Sequence, residues 1–449
     1  MKYPRYPAYK DSGVEWIGEI PEHWEINRLK SLSKIQTGST PPTDKAYYYS
    51  DGSGFPWLRP DDIDESLRSS KPSKYLSNDG SKIVNKVKAG STIVCCIGTI
   101  GKLGYVDYEA STNQQINSIK SVSGDDGFIY FTLVACRKEM ERLASGNVIK
   151  ILNKNRLGDI FVPSPSHLEK EKIAGILKYQ ISKINNLIDK IKIFIDTLYE
   201  KRQAIITHAV TKGLDPNVPM KDSGVEWIGE IPEHWSIMKI KHTSYVKGRV
   251  GWKGLTSEEY MEDGYAYLVT GQDFQSKRIL WDSCYCVDKS RYYDDPYIQL
   301  KNGDLLITKD GTIGKLAVVN GLEKPACLNS GIFLVRPYNN YITDFLYYVL
   351  SSSVFSNFYF LRSFGSTIQH LYQNVFEEFS FPIPPIVEQS QIVSYLESQT
   401  SEIDRIISVG KNMLQLLKEY KDSLITQAVT GKIDVRSFAV PTISNSTET

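Results

Sequence analysis

Two stretches of the chain carry apolar residues on a strict three–four spacing. In the first, Leu177, Ile184, Ile191, Leu198 and Ile205 mark one heptad position, and Ala174, Ile181, Ile188, Ile195 and Ala209 mark the other. In the second, 219 residues further on, the same positions hold Leu396, Ile403, Leu417 and Leu424, together with Val393, Ile407, Leu414 and Ala428. A pattern sustained for so many turns predicts a coiled-coil seam, not the three- to four-turn helix of an ordinary globular domain. About 36 residues of such a helix would span roughly 54 Å. The one strong polar break falls at the same place in both copies, Arg202 and Lys421. Gly410 and Thr400 replace Ile191 and Ile181 in the second seam, which predicts a bend or looser packing there. Ser166 followed by Glu169 predicts a capping box at the first start, whereas the second follows Pro384–Pro385 without one. Gly213 and Gly431 stand just past the last apolar positions, as left-handed terminators do.

The two seams belong to a tandem repeat. KDSGVEWIGEIPEHW occurs unchanged at Lys10–Trp24 and Lys221–Trp235, 211 residues apart. GTIGKL recurs at Gly98–Leu103 and Gly311–Leu316, and Gly146, Ile149, Leu152 and Asn155 answer Gly365, Ile368, Leu371 and Asn374. The offset drifts from 211 to 219 between these markers and then stays fixed, so residues 25–145 and 236–364 have diverged inside a common frame. A period this long is a whole module, not a solenoid unit. Two equivalent surfaces are expected to pair about a twofold axis, and a twofold perpendicular to the helices makes them antiparallel and puts a globular body at each end. Trp16, Ile17, Ile20 and Trp24 in the repeated string are expected to pack each arm onto its body at a helix end.

Composition adds limits. The chain has 449 residues, 41% hydrophobic and 23% charged, with a formal net charge of +1. This is an ordinary globular balance without the overall basic footprint of a nucleic-acid binder. No run of eighteen apolar residues and no leader pattern is present, so a cytoplasmic protein with no membrane partner is expected. The six cysteines form no CxxC pairing, and Cys95–Cys96 lie in an apolar run that predicts buried strand thiols.

Catalytic motifs are largely missing. There is no phosphate-binding Gly-x4-Gly-Lys-Ser/Thr loop, and GTIGK has the wrong spacing. Asp294–Asp295–Pro296–Tyr297 lacks the second proline of an amino-methyltransferase tetrad and reads as a turn. The six histidines are scattered, which argues against a metal. Asp61, Asp62 and Asp64 cluster beside Pro60 but have no counterpart in the second copy, so a loop is expected. Two stretches interleave cations, aromatics and amides as DNA-reading surfaces do: Lys45, Tyr47, Tyr48, Trp57 and Arg59 in the first body, and Arg249, Trp252, Lys253, Thr270, Gln272, Lys277 and Arg278 in the second. Packing is the competing reading for each, because 28 tyrosines cannot all be functional.

The ordered set of motifs closely resembles the specificity (S) subunits of type I restriction–modification systems. It comprises SGVEWIGEIPEHW before each body, TGSTPPT with PWLRPDDI in the first, and GRVGWKGLTSEEY with NGDLLITKDGTIGK in the second. A Pro-rich exit, then Glu169 or Glu388–Gln389, leads into each long helix. The resemblance implies an α+β chain of two target recognition domains separated by two long helices forming an antiparallel coiled coil. The expected divisions are recognition domain 1 with its arm at 1–166, spacer helix 167–212, recognition domain 2 at 213–385, spacer helix 386–431 and a flexible tail at 432–449. The spacer seam would comprise Leu177, Ile184, Ile188, Ile191, Ile195 and Leu198 against Leu396, Ile403, Ile407, Leu414, Leu417 and Leu424. It further implies a non-catalytic subunit that reads a bipartite site in double-stranded DNA. Two methyltransferase subunits and restriction–translocase subunits would be its partners. S-adenosylmethionine, ATP and Mg2+ would belong to those partners, with no cofactor in this chain. A stand-alone DNA-modifying enzyme and a coiled-coil interaction protein are the alternatives.

Overall fold

The structure is a computed structural model that describes residues 3–249, 255, 259–362 and 370–438. It divides into two compact units. One comprises Met1–Lys192 with Gly410–Thr449, and the other Ile193–Val409. The long helices run His167–Lys212 and Ile386–Val429, and the division cuts each near its middle. Each unit therefore holds one body, the start of one long helix and the end of the other. Gly410 lies inside the second helix without breaking it.

The bodies share a topology. In the first, strands Leu103–Val106, Ser91–Cys95, Ile116–Ser121 and Ser33–Thr37 form a four-stranded antiparallel sheet in that order. In the second, Leu316–Val318, Leu305–Thr308, Ile332–Pro337 and Ser244–Gly248 repeat the order. Successive residues of the central strands point to opposite faces, and both faces are covered. Val94 and Cys96 pack against helix Asp126–Ala135, while Ile93 and Cys95 face a second sheet. This explains the uninterrupted apolar run there. All six cysteines are free and buried, and burial pushes the Cys96 thiol up to about 12. The second sheet contains one parallel pair, Phe55–Leu58 beside Ala110–Thr112 in the first body and Ala266–Val269 beside Ala326–Leu328 in the second.

The repeated string packs as an arm, and its role is specific. Ile17, Ile20 and Trp24 are buried, as are Ile228, Ile231 and Trp235. Trp24 Nε1 donates to Glu169 Oε1 at 3.4 Å, and His23 Nε2 lies 3.0 Å from the same oxygen. In the second unit Trp235 Nε1 and His234 Nε2 meet Glu388 Oε2 at 3.0 and 2.9 Å. The arm thus grips the acid in the first turn of each long helix, where the helix dipole also favours a negative charge. Burial pushes the Glu169 carboxyl up, but hydrogen bonds from His23, Trp24 and Ser166 outweigh it and hold the group below its ordinary range. This corrects the expected capping box by half: the Glu169 N–H donates to Ser166 Oγ, but the carboxylate accepts from the Ser166 hydroxyl at 3.1 Å and from the arm. The same arm receives the end of the other long helix. Tyr9 Oη donates to Gly431 O at 3.0 Å and Lys432 Nζ to Glu19 O at 2.6 Å; Lys212 Nζ donates to Glu230 O at 2.7 Å in the second unit. The chain beyond 431 is no loose tail at first, since Ile433 and Val435 are buried and Phe438 meets the Tyr3 ring at 4.8 Å.

Within each unit the helix segments run antiparallel, with a helix start and a helix end meeting at the arm. In the first unit Leu177, Ile181, Ile184 and Ile188 pack with Leu424, Ile425 and Ala428, and half-buried Leu414 and Leu417 flank them. In the second, Ile195, Leu198, Leu396, Ile403 and Ile407 are buried, and Thr400 Oγ1 donates to Leu396 O at 2.6 Å. Ile191 is half-buried.

The conserved polar break is resolved differently in the two units. Arg202 binds both oxygens of Asp404, at 2.9 and 3.3 Å. At the equivalent place Lys421 has Asn185, whose Oδ1 lies 3.4 Å from Nζ and whose Nδ2 donates to Ser66 O at 2.8 Å. Burial holds Lys421 below the usual lysine range, so its charge opposes folding at neutral pH. Lys421→Met should therefore stabilise the protein, by up to about 1 kcal/mol because the side chain is only partly buried. The gain should shrink as pH rises toward the unfolded lysine value near 10.5, where the ammonium is lost in both states. Thermal melts at pH 7 and pH 10 check both signs.

Candidate nucleic-acid interface

At the end of each parallel strand pair the chain turns in the same way. In the second body the Thr270 N–H and hydroxyl donate to Asp273 Oδ2 at 2.7 and 2.9 Å, and the Gln272 N–H donates to Thr270 Oγ1 at 3.3 Å. In the first, the Arg59 N–H donates to Asp62 Oδ2 at 2.8 Å. The neighbouring strand ends match as well. Asn329 donates its N–H to Val269 O at 2.9 Å, and Asn113 donates its own to Leu58 O at 3.0 Å. The shared GTIGK loop forms the opposite wall. Its first and last glycines are left-handed in both copies, with φ of 81° and 77° at Gly98 and Gly101 and 67° and 83° at Gly311 and Gly314. In the first body Lys102 Nζ reaches across to Pro60 O at 2.6 Å.

In the second body these pieces enclose a cleft. It has a volume of about 490 Å³, and Thr270, Gln272, Thr308, Asp310, Lys315 and Asn329 line it. Tyr260 and Tyr285 line it too, with ring centroids 5.4 Å apart, and Asn329 Nδ2 donates to Tyr260 Oη at 2.8 Å. Asp310 is paired with His370. The frame is common to both bodies (Asp62 and Asp273, Asn113 and Asn329, Lys102 and Lys315), but the tips differ, and of these Asp61, Gln114 and Gln272 are exposed. Arg59–Pro60–Asp61 in one stands where Thr270–Gly271–Gln272 stands in the other, and Gln114 where Ser330 stands. A fixed frame carrying interchangeable polar tips suits base-edge reading, where Gln can pair with adenine and Arg with guanine.

The residues singled out from sequence are not all brought here. Thr270 and Gln272 line the cleft, and Arg59 sits at the matching turn with Nη2 donating to Ser73 Oγ at 2.9 Å. Trp57 points inward, 6% exposed, with Nε1 donating to Ser39 O. Arg249 is no surface cation. It is 2% exposed, just past the strand Ser244–Gly248, and its Nε donates to Leu328 O at 2.9 Å. Lys277 is occupied by Asp344 and Glu397 at 2.7 and 2.8 Å. Arg278 is exposed on a short hairpin; Lys45 and Tyr47 are exposed and Tyr48 half-buried, with the two tyrosine rings 4.3 Å apart. Trp252 and Lys253 lie outside the described residues. Lys102, Asn113, Gln114, Lys315 and Asn329 were missed. The repeated GTIGK was a sequence signal for Lys102 and Lys315; Asn113, Gln114 and Asn329 lie outside it.

Two acidic stretches are structural. Asp62 Oδ1 also accepts from the Ser73 N–H at 3.1 Å, and Asp64 Oδ1 accepts from the Ser66 N–H at 2.6 Å. Asp295 caps the turn Pro296–Ile298. Among the described residues no group of three or more His, Cys, Asp or Glu side chains is placed to hold a metal ion, and no helix is long and apolar enough to cross a membrane.

The family profile for the type I restriction modification DNA specificity domain matches the chain twice, over residues 21–195 and 232–412. The chain belongs to this family. Each match takes in one body and the long-helix segment that follows it. The chain is 24% identical over 435 residues to the type I restriction enzyme MjaVIII specificity subunit of Methanocaldococcus jannaschii, covering 93% of this chain and 95% of that one. The MjaIX specificity subunit of the same organism is 23% identical, with 94% and 96% covered. A chain solved in work on complex assembly and conformational transition of the type I R-M system shares the fold, with a TM-score of 0.69 at 16% identity over 91% of this chain and 98% of that one. The protein is a DNA-specificity subunit of the type I restriction–modification kind, with two recognition domains in one chain.

Proposed function

We propose that each body reads one half of a split duplex target through its cleft, while the paired helices fix the unread gap. The single observation that carries this is the same frame presented twice with different tips, since one protein reading two different half-sites needs both features. A modest overall charge is compatible with this role, because phosphate contacts depend on how cations are distributed over the faces.

The subunit itself does no chemistry on this reading. Methyltransferase subunits would dock on the long helices, modify an adenine in each half-site and supply S-adenosylmethionine. Restriction–translocase subunits would bring ATP and Mg2+, and the assembly would work in the cytoplasm. Exposed apolar side chains along the helices support protein docking. Phe194 in one unit and Met413 in the other occupy equivalent positions and are 53% and 45% exposed. Their equivalence favours two identical partners, one for each unit.

Reconstitution tests the reading. The purified chain alone, given Mg2+ and S-adenosylmethionine, should neither methylate nor cleave duplex DNA. With its methyltransferase partner it should methylate a two-part motif, and replacing residues 25–145 by another body should change one half of that motif. Activity of the chain alone would identify a stand-alone enzyme, and an absence of sequence-selective binding with the partner would leave an interaction protein.

A further inference from the structure

Beside the arm, each body also meets the first turns of its long helix, through Asp125 on Lys170 at 3.2 Å in the first unit and the Ile342 N–H on Gln389 Oε1 at 2.9 Å in the second; contacts confined to those turns would leave the body free to tilt along the helix. A second contact lies further along that helix in both units, and its chemistry differs between them. In the first body Leu67 adopts a φ of +66° and packs with the apolar cluster that holds Ile181 and Ile184. Its neighbours are fastened to the helix on either side. Ser66 O accepts from Asn185 Nδ2 at 2.8 Å, and Arg68 Nη2 lies 2.8 Å from Asp189 Oδ2. In the second body Ser276 takes up a φ of +54° at the matching turn, and Lys277 follows it. Lys277 Nζ bonds Glu397 Oε1 of the long helix and Asp344 Oδ1 of the body. The rings of Tyr347 and Tyr348 flank it at 5.5 Å each.

From these turns we infer that each body carries its own strut, a left-handed turn that sets the angle between the recognition domain and its helix and thereby selects the gap length. This rests on the proposed reading of a bipartite target. Asn185 and Asp189 lie 16 and 20 residues beyond the arm contact at Glu169, roughly 24–30 Å along the helix. In the second unit Glu397 lies 9 residues beyond Glu388, roughly 13–14 Å along the helix, and in both units the further contact resists the tilt that contacts at the helix start alone would allow. Angle matters because each added base pair moves a half-site by about 3.4 Å and turns it by about 35°. A body free to swing through such an angle would accept neighbouring gaps. The struts lie in the divergent bodies, so a body brings its own seating along with its own tips. Lys277 is the stronger of the two fastenings, since its side chain is 24% exposed and its ammonium doubly paired, whereas the Arg68 and Asp189 side chains are 67% and 43% exposed.

The test measures methylation by the complete complex on duplexes carrying the native gap, the gap plus or minus one base pair, and single-base changes in either half-site. In Lys277→Ala, preference for the native gap should fall about tenfold or more, while preference for the half-site bases stays unchanged. Lys277→Arg should restore the gap preference, and Arg68→Ala should show a smaller loss. An unchanged gap preference in Lys277→Ala with an unchanged melting temperature would overturn the inference. A parallel loss of gap and base discrimination would also overturn it, since that marks a merely structural role. If the wild-type complex methylates no two-part motif, the underlying reading fails instead, before any variant is compared.

Discussion

Gln272→Ala should relax the second half of the methylated motif at one position and leave the first half untouched. Gln272 is exposed, but its turn is held from below by Thr270 and by Asp273, which is 5% exposed. The amide is thus presented from a rigid base, as a discriminating contact requires. Losing one good base contact costs about 1–3 kcal/mol of discrimination, roughly 5- to 150-fold in preference at that position. Removing the base beneath the tip is a different experiment. Asp273→Ala releases both Thr270 bonds, so it should depress methylation of every target that contains the second half-site. Mapping methylated adenines in DNA treated with each complex separates the two outcomes. A motif unaltered by Gln272→Ala at full activity, or altered in both halves, would remove the cleft from the reading of DNA.

The long helices were legible because their apolar period is strict and their terminators, Gly213 and Gly431, are local signals. The packing of the arm was legible too, since a string holding Trp16, Ile17, Ile20 and Trp24 has more apolar surface than a solvated loop can carry. Its grip on Glu169 and Glu388 was hidden, because the partners stand about 150 residues apart and each acid looks like an ordinary first-turn residue. The cleft was legible only at Thr270 and Gln272. Alternation of cations and aromatics along a chain does not say which way a side chain faces, and that misplaced Arg249 and Trp57. Lys277 shows a related limit: a lysine beside an arginine suggests DNA, yet the fold brings two carboxylates to it from far along the chain. Lys102 and Asn113 join the frame only after the parallel strands have paired.

Gly431→Ala should destabilise the first unit by about 3 kcal/mol, and Gly213→Ala the second by only about 1–2 kcal/mol. Both glycines close a long helix in the left-handed region, at φ of 70° and 77°, so both pay the same conformational cost for a side chain. Their surroundings differ. A Cβ on Gly431 would lie 2.3 Å from Pro21 Cδ and 3.1 Å from the fully buried Trp24 ring, and a proline ring packed in the arm cannot move aside. A Cβ on Gly213 would meet Trp235 and Glu388 at 3.3 Å, a gap that a few tenths of an ångström of movement relieves. The same substitution on the same backbone turn therefore isolates how tightly each arm closes on the helix end it receives. Thermal melts of the two variants, read against the wild type, give the difference directly. Equal losses would show that the arms hold the two helix ends alike and that backbone strain alone sets the cost.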